Sequence, residues 1–397
     1  MNYKELLDRY KKGQVSEEEK QLIKEELEKQ VAFEEYISHT FDEEFNDRTN
    51  LPSDEIHDDE TATLKKNVNS KLRKVVLTSV AIVMALFVGM FFIISPLINS
   101  FYYNPSKTTV GKIDNDISFD IYAISELSMP GLSPSNVLVE KKGFGEYSVL
   151  YSYVNVFNDK SYNVNHKIKR GKITSSYWDY GLNSNMFLSI RYPDFFNINV
   201  EENKEKVLNH IKELNSVSYV SVGIIFENDL NMEELYNLES KYPEVEFEWA
   251  GIRTNTTNVK VDELIGIDLI NSKSASVLLG DEQIKDKYPA FFMLDWLVKP
   301  TEWKGVEYSM EAQAYEHHYM NLLEYVVDRE GAINVLEQGG WKGEFYQLAL
   351  GYAKEHGVKS YGVLAYGEAK DLIEIAGDKN IKGLEFNQAL VSKRNIR

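Results

Sequence analysis

Apolar and polar positions follow three different rhythms along this 397-residue chain. In residues 1–45 apolar side chains recur at three- and four-residue spacing among charges, the signature of short amphipathic helices. Residues 75–94 read VVLTSVAIVMALFVGMFFII, with no charge at all. As a helix that run is about 30 Å long, the thickness of a bilayer's hydrocarbon core. Beyond residue 106 the pattern mixes β alternation with helical periodicity. The chain therefore reads as a single-pass transmembrane protein: a small all-α N-terminal domain, one transmembrane helix at 75–98, and an α+β region at 106–397.

Within the last region Ile117, Phe119 and Ile121 alternate, as do Val137 and Val139, and residues 147–157 form a further β-prone run. Helices are predicted at 201–214, 232–240, 309–329 and 342–355. Strands are predicted at 218–226 and 245–249. The order strand, helix, strand returns at 361–366, 369–376 and 384–391. This recurrence suggests two related ferredoxin-like halves.

The flanks of the apolar run set an orientation. Lys65, Lys66, Lys71, Arg73 and Lys74 crowd its N-terminal side, whereas Lys107 is the one charge in the fifteen residues after Ile94. The positive-inside rule places the N-terminus in the cytoplasm and the C-terminal region outside the cell membrane. The run starts too late and is too long for a secretory leader, and no small-residue cleavage site precedes Pro96.

Charge and composition narrow the function. The chain has 44 Lys and Arg against 62 Asp and Glu, a net charge of −18. Its one basic cluster hugs the span, which argues against direct nucleic-acid binding. There is no Cys, so no disulfide framework, thiol catalysis or thiolate metal site is available.

Residues 1–64 hold 19 acidic and 8 basic side chains. Asn2 caps a first helix and Gly13 ends it, while Ser16 and Glu19 form a capping box that opens a second. Leu6, Leu7 and Tyr10, then Leu22, Ile23, Leu27 and Val31, supply the apolar stripes. Glu17, Glu18, Glu25 and Glu26 supply acidic rims. Helices this short bury little surface alone. They read either as a docking element for a basic partner at 1–45 or as a solvated stalk. Residues 46–74 read as a linker, acidic and then basic.

Tyr10-Lys11-Lys12-Gly13-Gln14-Val15-Ser16-Glu17-Glu18-Glu19-Lys20, followed by Glu25-Glu26-Leu27-Glu28-Lys29 and Phe33-Glu34-Glu35-Tyr36, resembles the N-terminal module of the sigma factor regulator family. The outer region resembles that family's C-terminal module at Lys142-Gly143-Phe144-Gly145-Glu146-Tyr147 and in the closing strand, helix and strand. The family includes membrane anti-sigma factors of Gram-positive bacteria similar to the sigma-M regulator. The resemblance implies an extracytoplasmic-function sigma factor as partner, held by Leu6, Leu7, Tyr10, Leu22, Ile23, Leu27 and Val31. Glu17, Glu18, Glu25 and Glu26 would form the rim of that contact. The bilayer is a second implied partner, and another membrane protein a third, as a source of the releasing signal. Without a Cys-x-x-Cys pair, zinc-dependent anti-sigma chemistry does not apply.

No catalytic motif emerges. Glu316-His317-His318 lies on a predicted helix without the i, i+4 spacing of metal ligands and reads as an exposed face. No Gly-x-Ser-x-Gly elbow or phosphate-binding loop occurs. The reading is of a regulator with no enzymatic activity, cofactor or metal. The alternative is a signal-anchored envelope enzyme, or an outer-domain binding protein, whose inner segment is only a stalk.

Overall fold

A computed structural model of the chain describes residues 58–111, 114–178, 186–187, 199–254, 263–270, 282–298, 310–337 and 341–393, together with Ser16, Lys20, Gln21, Lys29 and Ala32. The chain divides into two units, Met1–Ala85 and Leu86–Arg397.

Helix α1 spans Asp58–Gly89 and is followed by a π-helical turn at Met90–Ile94 and by α2 at Ser95–Phe101. The turn widens where Pro96, lacking an N–H, enters the helix. Ser95 N–H accordingly reaches back five residues to the Met90 carbonyl. Lys65–Phe101 is long and apolar enough to cross a membrane, and none of its apolar stretch is buried. A core helix of a soluble protein would be covered.

Helix α3, Asp116–Ser128, corrects the β expectation for Ile117, Phe119 and Ile121. Ile117, Phe119, Ile121, Ile124 and Leu127 are all buried. A helix covered on nearly every side carries apolar residues at both even and odd spacings, so alternation does not distinguish it from a strand.

Strands β1 (Leu132–Gly143), β2 (Glu146–Asn155), β3 (Ser161–Lys169) and β4 (Lys172–Trp178) form an antiparallel meander. Alternate residues of β3, namely Tyr162, Val164, His166 and Ile168, turn inward. The two outer hairpins close through Phe144-Gly145 and Arg170-Gly171, all four residues at positive φ, as two-residue hairpin turns require. Arg170 N–H donates to the Gly145 carbonyl at 2.8 Å, joining the turns. Ser95 Oγ accepts from Phe144 N–H at 3.0 Å, and Asn99 Oδ1 accepts from Gly145 N–H at 2.9 Å. The Phe144 ring meets Phe91 at 5.6 Å. The meander thus sits on the C-terminal end of the apolar helix through paired polar groups.

The second sheet is built from β5 (Tyr219–Asn231), β6 (Glu246–Ile252), β7 (Gly266–Asp268), β8 (Lys359–Glu368) and β9 (Ile381–Leu390). Helix α4 (Val200–Glu213) precedes it, α5 (Met232–Lys241) joins β5 to β6, and α11 (Ala369–Ala376) joins β8 to β9. The helices α6 (Glu282–Lys287), α7 (Met293–Val298), α8 (Met310–Asp328), α9 (Glu330–Leu336) and α10 (Lys342–His356) lie between β7 and β8. Both predicted strand–helix–strand units are present, close to their expected bounds. They do not form two halves. The strand order is β7-β6-β8-β5-β9, all antiparallel, so β8 inserts between β6 and β5. The two units interleave into one split β-α-β sheet. Each leaves a central strand unpaired on one side, and only the other unit can satisfy its backbone groups.

Candidate functional site

Asn231 opens α5 with a full capping box and Asn199 caps α4, so the sheet's helices start at sequence-encoded positions. On this frame the functional interest lies in α3, the first element after the apolar helix. Its inward face carries Asp116, Asp120 and Glu126, all buried. Three buried carboxylates on one short helix need partners, and α8 with its flanks supplies them.

Asp120 receives a forked pair from Arg329, Nε to Oδ1 and Nη2 to Oδ2, each at 2.7 Å. Tyr325 Oη adds a bond at 2.7 Å and Tyr103 Oη one at 3.2 Å. Arg329 Nη1 reaches Asp116 at 3.3 Å. Asp116 also accepts from the backbone N–H groups of Thr109 (2.6 Å) and Val110 (2.8 Å) and from the Thr109 hydroxyl. Burial raises the Asp120 carboxyl above the usual range, against the opposing pull of Arg329, Tyr325 and Tyr103. Tyr103 stands two residues after α2, so this network ties the exit of the apolar helix to the α8–α9 junction.

Glu126 forms the second link. It pairs with His318 Nε2, its Oε1 accepts from Asp268 N–H at 3.3 Å, and its backbone carbonyl accepts from Trp249 Nε1 at 2.7 Å. His318 Nδ1 lies 2.8 Å from the Ala290 carbonyl. Burial pushes the His318 imidazole down, yet the Glu126 carboxylate and the Ala290 carbonyl outweigh it and leave the ring above its ordinary value. This corrects the reading of Glu316-His317-His318 as an exposed face. Glu316 and His317 are exposed, but His318 falls with Tyr315, Tyr319 and Leu322 on the buried stripe of α8.

A third polar group lies inside the meander. His166 meets Tyr151 Oη at 3.0 Å and Ser176 Oγ at 2.8 Å. Burial lowers its imidazole to about 4. Both ring nitrogens are engaged, by the Tyr151 and Ser176 hydroxyls. Among the described residues no group of three or more His, Asp or Glu is arranged to hold a metal ion.

The residues assigned to partner docking, Leu6, Leu7, Tyr10, Glu17, Glu18, Leu22, Ile23, Glu25, Glu26, Leu27 and Val31, lie outside the described residues. Lys65, Lys66, Lys71, Arg73 and Lys74 are exposed on α1. Sequence reasoning passed over Asp116, Asp120, Glu126 and Arg329. Their signal was present: acidic residues at positions 116, 120 and 126 interrupt a segment otherwise patterned for burial.

Residues 211–388 match the family model described as sigma factor regulator C-terminal. The match runs from the end of α4 into β9 and takes in the interleaved sheet and its helices. It includes the closing strand–helix–strand on which the resemblance rested and excludes the Lys142–Tyr147 motif. No curated protein and no solved structure matches the chain. The resemblance to the sigma factor regulator family therefore holds over residues 211–388, and it supports a role in sigma factor regulation.

Proposed function

We propose that the chain is a membrane-anchored anti-sigma factor, of the kind similar to the sigma-M regulator. Its acidic N-terminal helices hold an extracytoplasmic-function sigma factor at the cytoplasmic face, and a signal received by the region beyond the span releases it. The observation that carries this reading is the sigma factor regulator C-terminal match, on a chain whose Lys65–Phe101 helix suits a membrane. The buried pairs of α3 support a route for the signal. Asp120 and Glu126 bond to residues of the matched domain, while Tyr103 and Asn99 bond the exit of the apolar helix to α3 and to the meander.

The physics of release is differential affinity. An outer ligand shifts the captive sigma factor only if it favours one arrangement of the outer region over another. Proteolytic loss of the tether would release it by a different route. The acidic rim at Glu17, Glu18, Glu25 and Glu26 raises the association rate with a basic partner and selects against acidic ones. The test is binding of the host's extracytoplasmic-function sigma factors to the detergent-solubilised chain. Retention that weakens with salt and with charge reversal at those four glutamates supports the proposal, and absence of retention refutes it.

A further inference from the structure

The C-terminal end of the apolar helix opens into a cavity of about 550 Å³. Its walls carry Phe101 and Tyr102 from that helix end, Arg170 and Lys172 from the β3–β4 turn, and Arg329 from the α8–α9 junction. Arg170 and Lys172 are exposed, and neither forms an ion pair among the described residues. Arg329 is bound to Asp120 and Asp116, so it contributes shape and hydrogen-bonding edge more than free charge. Asp328, also on the wall, is occupied by Lys287 at 2.9 Å and by Tyr288 Oη at 2.7 Å. The remaining polar face of the cavity is therefore cationic, in a protein with net charge −18.

We infer that this cavity binds the phosphate headgroup of an anionic membrane lipid. The inference rests on reading Lys65–Phe101 as the membrane span. Phe101 and Tyr102 then lie at interfacial depth, where aromatic side chains anchor a helix and lipid phosphates are found. The β3–β4 turn is held at that depth, because Arg170 N–H bonds to Gly145 and Gly145 N–H bonds to Asn99 of the helix itself. Arginine and lysine presented together at the bilayer surface recognise anionic headgroups. The size is within the range of small-ligand sites. A lipid seated there would touch the helix end, the meander and the Asp120–Arg329 junction at once, so lipid composition would bias the elements that link span and matched domain.

The test is hydrogen exchange of the full chain in nanodiscs of phosphatidylcholine alone and of phosphatidylcholine mixed with phosphatidylglycerol. Peptides covering 99–104 and 168–174 should exchange about thirtyfold more slowly in the anionic discs, as about 1 kcal/mol for each of the two cations Arg170 and Lys172 implies. The double substitution R170E/K172E should abolish the difference while exchange in α8 stays slow, which shows that the variant is folded. K206E/K212E on α4 should keep it. Equal exchange in both discs, or an unchanged difference in R170E/K172E, overturns the inference. Equal protection by inorganic phosphate in phosphatidylcholine discs assigns the cavity to soluble phosphate and also overturns it. A chain extracted from the discs by alkaline carbonate would refute the span itself, and the lipid site with it.

Discussion

Glu126 and His318 are hydrogen-bonded in a site closed to solvent, 192 residues apart in sequence. The glutamate stands on the first helix after the apolar span, and the histidine on the long helix inside the matched domain. Glu126 Oε2 finds no hydrogen-bond partner among the described residues. A buried carboxylate is costly without a partner, and His318 Nε2 with Asp268 N–H, both on Oε1, supply it.

That link has a definite pH signature. The folded His318 value is raised above the unfolded value of about 6.5. Its contribution is fully present below the unfolded value and is lost as pH rises through the folded one. Each pH unit separating the two values corresponds to about 1.4 kcal/mol. The stability gap between the native chain and His318→Gln should therefore be widest in mild acid and narrow toward alkaline pH. Chemical unfolding of both proteins across that window measures it, and a gap independent of pH contradicts the pairing.

His166 should behave with the opposite sign. Its folded value is lowered to about 4, so its contribution is present above the unfolded value and lost as pH falls through the folded one. Between about 6.5 and 4 the native chain should lose on the order of 3 kcal/mol to this group. His166→Gln should lose less over the same interval, as followed by near-ultraviolet dichroism of the tyrosine-rich meander.

The Asp120–Arg329 fork should tolerate joint replacement better than single replacement. Removing the guanidinium in Arg329→Met leaves two buried carboxylates without their cation and should cost about 3–5 kcal/mol. The double variant Asp120→Leu with Arg329→Met should recover a substantial part of that loss. Denaturant midpoints of the three proteins decide it, and strict additivity would mean that the fork carries no coupling.

Gly145, at the contact between the meander and the helix end, is sensitive to a single methyl group. It sits at φ +77°, its N–H bonds to Asn99, and an added Cβ would lie 3.2 Å from Ile98 Cγ2. Gly145→Ala should cost about 1–2 kcal/mol from backbone strain. It should also loosen the meander from the helix end, seen as faster hydrogen exchange at 144–147 with α8 unchanged.

Much of this architecture was legible in the chain because its cause is local. The apolar run and the helical periodicity that places Val207 and Ile211 on one face of residues 201–214 act within one turn or one span. What escaped depends on distant neighbours. Ile117, Phe119 and Ile121 alternate in sequence, but α8, α9 and the meander cover α3 on several sides and make it a buried helix. His318 looked solvated because its immediate neighbours Glu316 and His317 are, while its true partner lies in α3. The interleaving of β8 between β5 and β6 is set by which strand edges remain open, a property of the assembled sheet and not of either unit. The cavity beside Phe101 and Lys172 likewise exists only once three separate segments meet.

The most direct test of the central claim is the affinity of the detergent-solubilised full chain for purified extracytoplasmic-function sigma factors of its host, compared with a variant reversed at Glu17, Glu18, Glu25 and Glu26. Saturable binding of one such sigma factor, weakened by salt and by the four reversals, is the expected result. Absence of binding to every one of them, with residues 116–393 folded, would contradict it.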